Sequence, residues 1–215
     1  KKLSKILKIN STIITDMGTS FTCTMQTMKI NNHLKQRLYT SSGLSSMGFG
    51  LPGSIGASFA NPKKTIICIS GDGGLMFNIQ ELQTIKHYNL PIKIFVLENK
   101  GYLTMQLMQK SHFKKLTGSD PSSGISIPEI KKIAKGFGLD YLKLNTKNIE
   151  SQLKKVLSNK KAMLIEVNMP KFQLLIPRLQ SQLKNGSFSD PDFDNLFPYL
   201  SQEEIEQERM KARFK

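Results

Sequence analysis

Two polar segments, each directly after a short apolar run, carry the residues most suited to chemistry. The first is Gly71-Asp72-Gly73-Gly74 after the run 65–70, and the second is Glu98-Asn99-Lys100-Gly101 after the run 92–97. Both runs are rich in β-branched residues and too short for independent helices, so they predict two buried parallel strands, with the amphipathic segment 78–88 as the crossover helix. Because ligands bind beyond the carboxyl ends of such strands, one carboxylate and one carboxamide should meet at the same edge of the sheet.

Asp72 and Asn99 offer oxygen atoms of the kind that Mg²⁺ prefers. This ion takes hard oxygen ligands in an octahedron and usually keeps water and substrate phosphates in its coordination shell. Glycines on each side of Asp72 let the backbone bend and point N–H groups at a phosphate. An aspartate that only caps the next helix is the commoner explanation of a lone Asp-Gly pair, but it leaves the segment 99–101 unexplained. The pattern therefore predicts a magnesium–phosphate site.

The rest of the chain is predicted to continue the same alternation of strands and helices. Its 215 residues suffice for one large domain, or for one domain with an appendage. The alternation predicts an α/β fold, namely a three-layer open parallel sheet with helices on both faces. Further strands are predicted at 11–15, 37–40, 139–144 and 163–167, helices at 21–34, 54–60, 128–136 and 147–157, and a long functional loop from residue 102 to 126.

The pattern changes after residue 170. The segment 172–179 is predicted to be an arm laid over a surface, 185–194 to be a loop, and Ser201-Gln202-Glu203-Glu204 to be a capping box that opens a charged terminal helix. We therefore expect a ligand-binding domain at 1–170 and a C-terminal arm and helix at 171–215. The abrupt start of the chain suggests a piece of something longer.

Composition argues against several classes of protein. The net charge is +15, from 31 Lys and Arg against 16 Asp and Glu, but only four of the cations are arginines and the lysine pairs are scattered without aromatic residues between them. A solvated surface is therefore favoured over a nucleic-acid-binding module. No apolar run approaches the roughly 20 residues of a membrane span, and Cys23 and Cys68 show no metal-ligand spacing. We expect no nucleic-acid partner, no membrane partner and a reducing, cytoplasmic location.

The segment Gly48-Phe49-Gly50-Leu51-Pro52-Gly53 offers an alternative interpretation. It matches the G-x-G-x-x-G pattern of dinucleotide-binding folds, and Asp72 follows about 20 residues later, as a ribose-binding acid would. This alternative is a nicotinamide-dinucleotide-dependent oxidoreductase. The fingerprint needs a hydrophobic strand directly before its first glycine, however, whereas the segment 41–47 is polar and contains glycine. The alternative is therefore disfavoured.

The segment Gly71-Asp72-Gly73, followed at a distance by Asn99, resembles the cofactor signature of thiamine-diphosphate-dependent enzymes. Further segments are similar to the acetolactate synthase group of that family, namely Ser42-Gly43-Leu44, Met47-Gly48-Phe49-Gly50-Leu51-Pro52, Asn78-Ile79-Gln80-Glu81-Leu82 with Thr84, and Asn89-Leu90-Pro91. The similarity covers most of 13–177 and corresponds to the family's C-terminal, diphosphate-binding domain. It implies thiamine diphosphate and Mg²⁺ as cofactors.

The resemblance also implies roles for individual residues. It places Asp72, Asn99 and the carbonyl group of Gly101 on Mg²⁺, and it counts Gly71 among the cofactor-binding residues. Ser45 and Met47 correspond to positions at the aminopyrimidine ring, where the methionine helps to hold the cofactor bent. The diphosphate-lining positions are Gly18, Thr19, Ser20, Gly73, Gly74, Tyr102 and Leu103.

The chain departs from the family pattern at several positions. Ser45 replaces a glycine, Gly74 replaces a residue that often carries a hydroxyl group, and Glu98 replaces the first of two asparagines. The segment 104–113 diverges where the family contacts its substrate. His87 and His112 are interpreted as structural or incidental, so no catalytic acid or base is assigned within the chain.

The implied activity is the decarboxylation and carboligation of 2-keto acids such as pyruvate, with simple 2-keto-acid decarboxylation as the alternative. In the family, a glutamate that protonates the pyrimidine ring comes from a separate pyrimidine-binding domain, usually across a subunit interface. No segment of this chain matches that domain. We therefore expect half of an active site that is inactive alone, with a pyrimidine-binding domain or subunit as partner and a homo-oligomer, dimer or tetramer, as the assembly.

Overall fold

The computed structural model describes residues 1–184 and 186–213. The chain forms two compact units, Lys1–Gln173 and Leu174–Lys215, and each is described by itself. The domain boundary predicted after residue 170 lies close to this division. Within the described residues, no helix has both the length and the apolar character needed to cross a bilayer.

The first unit is built on a six-stranded sheet in which every pair of neighbouring strands is parallel. The strand order is β2-β1-β3-β4-β6-β5, which confirms the predicted open parallel sheet. Each strand begins and ends within one or two residues of its predicted position. The strands are β1 (Ser11–Thr15), β2 (Arg37–Thr40), β3 (Thr65–Gly71), β4 (Lys93–Glu98), β5 (Asp140–Lys143) and β6 (Met163–Asn168).

Eight α-helices connect and cover these strands. They are α1 (Lys2–Ile6), α2 (Thr19–Thr27), α3 (Gly50–Ala60), α4 (Asp72–Phe77), α5 (Glu81–His87), α6 (Leu103–His112), α7 (Ile130–Gly136) and α8 (Ile149–Ser158). Short 3₁₀ turns lie at Asn32–Leu34, Pro121–Ser123 and Thr146–Asn148.

Alternate residues of the central strands pack into two separate hydrophobic cores, which makes the fold three-layered. Ile66 and Cys68 of β3 belong to the core that includes residues of α3, α5 and α7. Ile67 and Ile69 of the same strand belong to the core that includes residues of α8. Both faces of the sheet are therefore buried, as expected for a parallel sheet with crossover helices.

The register of the sheet brings the ends of three strands together at one edge. Gly71 at the end of β3 pairs with Leu97 of β4, and Ile69 pairs with Thr15 at the end of β1. Because the strands are parallel, the segments that follow β1, β3 and β4 all leave from this carboxyl edge.

The structure corrects two predictions around this edge. The segment from residue 102 to 126 is not one long loop, because α6 occupies Leu103–His112 and a 3₁₀ turn occupies Pro121–Ser123. The crossover helix predicted at 78–88 is present as α5, but it begins only at Glu81, and a second helix that was not predicted, α4, precedes it and begins directly at Asp72. Asp72 therefore lies in the first turn of a helix rather than in a free loop.

The second unit contains a small hairpin and the terminal helix. Strands β7 (Gln182–Lys184) and β8 (Ser187–Ser189) pair in antiparallel fashion, which corrects the predicted loop at 185–194, of which residue 185 lies outside the described residues. Helix α9 (Gln202–Arg213) follows the predicted capping box. The Glu204 N–H group donates to Ser201 Oγ (3.2 Å), and the Ser201 N–H group donates to Glu204 Oε2 (2.9 Å). The capping box is therefore confirmed.

Candidate functional site

A narrow cleft lies at the carboxyl edge of the sheet, between the segments that follow β1, β3 and β4 and the turn 41–49 that precedes α3. It encloses about 70 Å³, roughly the volume of two water molecules, so a larger ligand would extend beyond it. The residues that line it are Met17, Gly18, Thr19, Met47, Gly71, Asp72, Gly73, Asn99, Gly101, Tyr102, Leu103, Thr104 and Met105.

Asp72 is the buried carboxylate at the centre of this cleft and is 1% exposed. Its Oδ2 atom accepts hydrogen bonds from the N–H groups of Asn99 (3.1 Å), Lys100 (2.6 Å) and Gly101 (3.3 Å), while Oδ1 accepts one from Gly73 (2.7 Å). The side chain thus fixes the segment after β4 against the segment after β3. Oδ1 retains a lone pair for a further partner.

Burial raises the pKa of Asp72 to about 6, against the opposing effect of hydrogen bonds from the Gly73, Lys100 and Asn99 N–H groups, which lower the pKa. At neutral pH the carboxyl group is therefore mostly ionised. Among the described residues, no Lys, Arg or His side chain forms an ion pair with it. A buried charge without a counter-ion is costly, so the site favours a cation.

Two buried oxygen atoms of the cleft lack a hydrogen-bond partner. They are Asn99 Oδ1 and Thr19 Oγ1, which belong to cleft-lining residues on opposite segments. A buried polar atom without a partner costs about 1–3 kcal/mol, so such atoms point to a ligand. The carboxamide oxygen of Asn99 suits a cation beside Asp72, and the Thr19 hydroxyl group can donate to an anion.

The donor set fits Mg²⁺ held jointly by protein and phosphate. No group of three or more His, Cys, Asp and Glu side chains that could hold a metal occurs within the described ranges. A metal ion at Asp72 and Asn99 would therefore need further oxygen ligands from the backbone, water and a ligand. That is how proteins usually bind Mg²⁺, through one or two carboxylates together with substrate phosphates.

Glycines allow the cleft walls to approach closely. A Cβ atom on Gly73 would lie 2.4 Å from the Tyr102 ring, and one on Gly101 would lie 2.3 Å from the Ser119 carbonyl oxygen. Gly101 also has φ +151°, a backbone conformation that side chains disfavour. These two positions require glycine in this structure.

Ten of the thirteen cofactor residues inferred from sequence line the cleft. Of the remaining three, Ser20 is fully buried and its hydroxyl group donates to the Met17 carbonyl group (2.8 Å), while Gly74 packs against Asp16. Ser45 is exposed and its hydroxyl group donates to the Ser42 carbonyl group within the turn. The structure places these three outside the cleft lining.

Sequence reasoning missed three lining residues, Met17, Thr104 and Met105. Met17 lies between Asp16 and Gly18 in the polar segment after β1, so its position beside a strand end was a usable signal. Thr104 and Met105 belong to the first turn of α6. Both were left out of the predicted site because this segment was predicted to be a loop.

A larger depression of about 460 Å³ lies beside the cleft, around residues that include Glu98, Tyr141, Lys143 and Glu166. Its buried carboxylate, Glu166, already accepts a hydrogen bond from the Tyr141 hydroxyl group (2.6 Å) and pairs with Lys143 Nζ (2.6 Å). Because its buried acid is satisfied, this depression shows no polar atom awaiting a ligand. The chemistry favours the smaller cleft.

The segment 48–53 does not have the context of a dinucleotide fingerprint. Strand β2 ends at Thr40, and the turn 41–49 separates it from α3. The peptide groups of Gly48 instead bind two distant segments of the chain. Its N–H group donates to Asp16 Oδ1 (2.9 Å), and its carbonyl group accepts from Asn78 Nδ2 (3.0 Å). No strand leads directly into the first glycine, as the fingerprint requires.

Comparison with known proteins gives consistent matches to one family. A family model described as "Thiamine pyrophosphate enzyme, C-terminal TPP binding domain" matches residues 16–167. The chain is 35% identical over 162 residues to "Acetolactate synthase 1, chloroplastic" of Zea mays, which covers 72% of this chain and 25% of that protein. It is 32% identical over 187 residues to "Acetolactate synthase isozyme 2 large subunit" of Escherichia coli (strain K12), which covers 86% of this chain and 33% of that protein. The chain thus spans about a quarter to a third of the length of these curated relatives.

Proposed function

Because this chain belongs to the thiamine pyrophosphate enzyme family, whose C-terminal TPP-binding domain it contains, we propose that it binds the Mg²⁺-diphosphate half of the cofactor in an acetolactate synthase-like enzyme. Family membership implies thiamine diphosphate with Mg²⁺ as the cofactors. The observation that carries the proposal is the buried, unpartnered Asn99 Oδ1 in the same cleft as the Asp72 carboxylate.

Residues of the cleft have distinct roles in this proposal. Asp72, Asn99 and the carbonyl group of Gly101 bind Mg²⁺, with the Asp72 charge offsetting that of the ion. Residues near the diphosphate position its oxygens, and the unpartnered Thr19 hydroxyl group donates to one of them. Met47 lies on the aminopyrimidine side. The diphosphate-lining set is Gly18, Thr19, Gly73, Tyr102 and Leu103.

The reaction proposed for the complete enzyme is decarboxylation of a 2-keto acid such as pyruvate, followed by carboligation. When bound, the cofactor supplies the electron sink that allows carbon dioxide to leave. The protein residues bind, orient and shield that cofactor. Relatives named as acetolactate synthases support carboligation over simple decarboxylation.

The proposed active site is completed from outside these 215 residues. A glutamate on a pyrimidine-binding domain or subunit would supply the proton at the pyrimidine ring, and an oligomer, either a dimer or a tetramer, would bring the two together. The chain by itself binds the cofactor without turning over substrate in this proposal.

Calorimetric titration tests the binding function. Wild-type chain should bind thiamine diphosphate with Mg²⁺ and lose that binding when EDTA removes the metal. Asp72→Ala and Asn99→Ala should each weaken Mg²⁺-dependent binding by at least about tenfold, or 1.4 kcal/mol. Asp140→Asn, at the start of β5 and thus at the opposite edge of the sheet, is the matched control and should bind as wild type. Unchanged binding in both cleft variants would refute the site assignment.

A further inference from the structure

Asp16, the residue directly after β1, is buried behind the cleft and contacts several segments of the chain. It is 1% exposed. Its Oδ1 atom accepts hydrogen bonds from the N–H groups of Met17 (2.7 Å) and Gly48 (2.9 Å), and Oδ2 accepts one from the Ser70 hydroxyl group (2.9 Å). A Cβ atom on Gly74 would lie 3.0 Å from Oδ2. One carboxyl group thus connects the segment after β1, the turn before α3, the end of β3 and the start of α4.

The turn 41–49 brings Met47 into the cleft but has few other fixed points. Most of its residues are exposed, and its internal hydrogen bonds are local. Among the hydrogen bonds of the described residues, those that connect this turn to distant segments are both at Gly48. Its N–H group donates to Asp16, and its carbonyl group accepts from Asn78 Nδ2 (3.0 Å). The place of Met47 in the cleft therefore depends on the peptide groups of its neighbour.

The connection between the segments that follow β3 and β4 is made by Asp72, without Asp16. Asp72 fixes the segment after β4 through three backbone N–H groups. None of these hydrogen bonds passes through the turn 41–49. Removing the Asp16 carboxyl group should therefore release the turn 41–49 while the hydrogen bonds between Asp72 and the segment after β4 remain.

We propose that Asp16 is a positioning residue that fixes Met47 in the cofactor cleft through the Gly48 N–H group. Its loss weakens the binding of the aminopyrimidine end of thiamine diphosphate more than the binding of the diphosphate end. This inference rests on the proposed function, which assigns Met47 to the aminopyrimidine side.

Three variants separate this role from general loosening of the fold. Asp16→Ala removes every acceptor, whereas Asp16→Asn keeps Oδ1 as acceptor for the N–H groups of Met17 and Gly48. Ser54→Ala is the matched control, because it deletes a buried hydrogen bond to the Gly50 carbonyl group (2.6 Å) in α3 and leaves Gly48 untouched. If Asp16→Ala does not fold, Asp16→Ser, whose side chain is one atom shorter than that of aspartate, replaces it.

The first measurement is amide hydrogen exchange at Gly48 in the full chain without ligand. Exchange should accelerate at least about tenfold in Asp16→Ala and stay within about threefold of wild type in Asp16→Asn and Ser54→Ala. This readout does not depend on the identity of the cofactor. Unchanged exchange at Gly48 in a folded Asp16→Ala or Asp16→Ser chain would overturn the proposal.

The second measurement compares affinities for Mg²⁺-thiamine diphosphate and Mg²⁺-pyrophosphate. Asp16→Ala should weaken the first by a factor at least about threefold larger than the second, and Asp16→Asn should restore both. Equal losses for the two ligands, or no loss for either, would overturn the positioning role. If wild-type chain binds neither ligand, the proposed function fails, and the exchange measurement still decides whether Asp16 anchors the turn.

Discussion

At the scale of single residues, the site is distinguished by buried polar atoms that the protein leaves unsatisfied. Asn99 Oδ1 and Thr19 Oγ1 lack hydrogen-bond partners, and Asp72 is a buried carboxylate whose pKa is raised by that burial. Each of these features lowers the stability of the protein without its ligand. Their occurrence in one cleft is typical of a site in which a ligand supplies the missing partners.

Gly73→Ala tests how closely the cleft walls approach. The new methyl group would meet the Tyr102 ring at 2.4 Å, so overpacking should destabilise the chain by about 1–3 kcal/mol, partly offset by the better helix propensity of alanine. Chemical denaturation of the two single variants and the double variant with Tyr102→Ala should show a favourable coupling of at least about 1 kcal/mol.

The control for this cycle is Gly56→Ala in α3, where a Cβ atom meets nothing within 4 Å. That change should raise the free energy of unfolding by about 0.4–1 kcal/mol. Additive effects of Gly73→Ala and Tyr102→Ala would contradict the close contact.

Lys93 provides a pH-dependent test away from the cleft. Burial lowers its pKa to about 8 from the ordinary 10.5, and Nζ donates hydrogen bonds to the carbonyl groups of Pro91 (3.0 Å) and Lys161. Between these two pH values the unfolded chain binds more protons than the folded chain, so the free energy of unfolding rises with pH. Burial of the charged Lys93 side chain thus destabilises the fold below pH 8, and this destabilisation is lost as the pH approaches 10.5.

Lys93→Met removes this titration. In urea denaturation, wild type should gain stability relative to the variant as the pH rises from 8 to 10.5, by up to about 3 kcal/mol. A stability difference that does not change with pH would show that Lys93 titrates normally.

At the scale of secondary structure, the strands were predictable and several connections were not. The strands are apolar, β-branched runs that end in polar segments, and this pattern is local. Helix α6 was missed because its two fully buried positions are Leu103 and Gln106, so a glutamine interrupts the apolar periodicity. Helix α4 was read as a loop because glycine disfavours helices, whereas contacts from the Asp72 side chain hold its start in place.

The residues of the cleft divide in the same way: local sequence motifs predict some of them, and the positions of others depend on contacts distant in sequence. The resemblance to the family identified ten of the residues that line it. Thr104 and Met105 line it from the first turn of α6, and hydrogen bonds from Tyr102 and Gln106 to the distant Ser119 carbonyl group hold the start of that helix. Ser45 lies outside the lining because the turn 41–49 exposes it.

Gly101→Ala tests how α6 is attached to the segment that follows it. The Ser119 carbonyl oxygen accepts hydrogen bonds from the Tyr102 N–H group (2.9 Å) and from Gln106 Nε2 (2.8 Å), and a Cβ atom on Gly101 would lie 2.3 Å from the same oxygen. The variant should lose at least about 2 kcal/mol of unfolding free energy and should also lose Mg²⁺-dependent cofactor binding.

Gly118→Ala is the matched control, because its φ is also positive (+56°) but a Cβ atom meets nothing within 4 Å. It should cost only about 1–2 kcal/mol and leave binding intact. Equal effects of the two substitutions would mean that the contact with Ser119 does not position α6.

At the scale of the whole molecule, the parallel sheet gathers the ends of three strands around the cleft that we propose as the cofactor site. The sheet order places β3 between β1 and β4, so residues from three segments far apart in sequence face one cleft. Ligand binding at this edge follows from the architecture. Under the proposed function, the chain contributes one half of the active site, and another domain contributes the acid for the pyrimidine ring.

Because the proposed active site is divided between this chain and a pyrimidine-binding domain, we expect the chain alone to bind the cofactor without turning over substrate. With Mg²⁺, thiamine diphosphate and pyruvate, the 215-residue chain should release no carbon dioxide above the rate of the free cofactor. Addition of a pyrimidine-binding domain that carries the glutamate should restore release if the two assemble. Carbon dioxide release that scales with the concentration of the chain alone would contradict the half-site account.

The most direct test of the central claim locates the metal ion itself. Paramagnetic Mn²⁺ can replace Mg²⁺, and nuclear magnetic resonance then reports which backbone amides lie near it. In the presence of thiamine diphosphate, the amide signals of Gly73, Asn99 and Gly101 should broaden while that of Met163, at the start of β6 and thus at the opposite edge of the sheet, stays sharp. Asp72→Ala should abolish the effect. Broadening centred on other residues, or none in wild type, would contradict a metal–diphosphate site at the ends of β3 and β4.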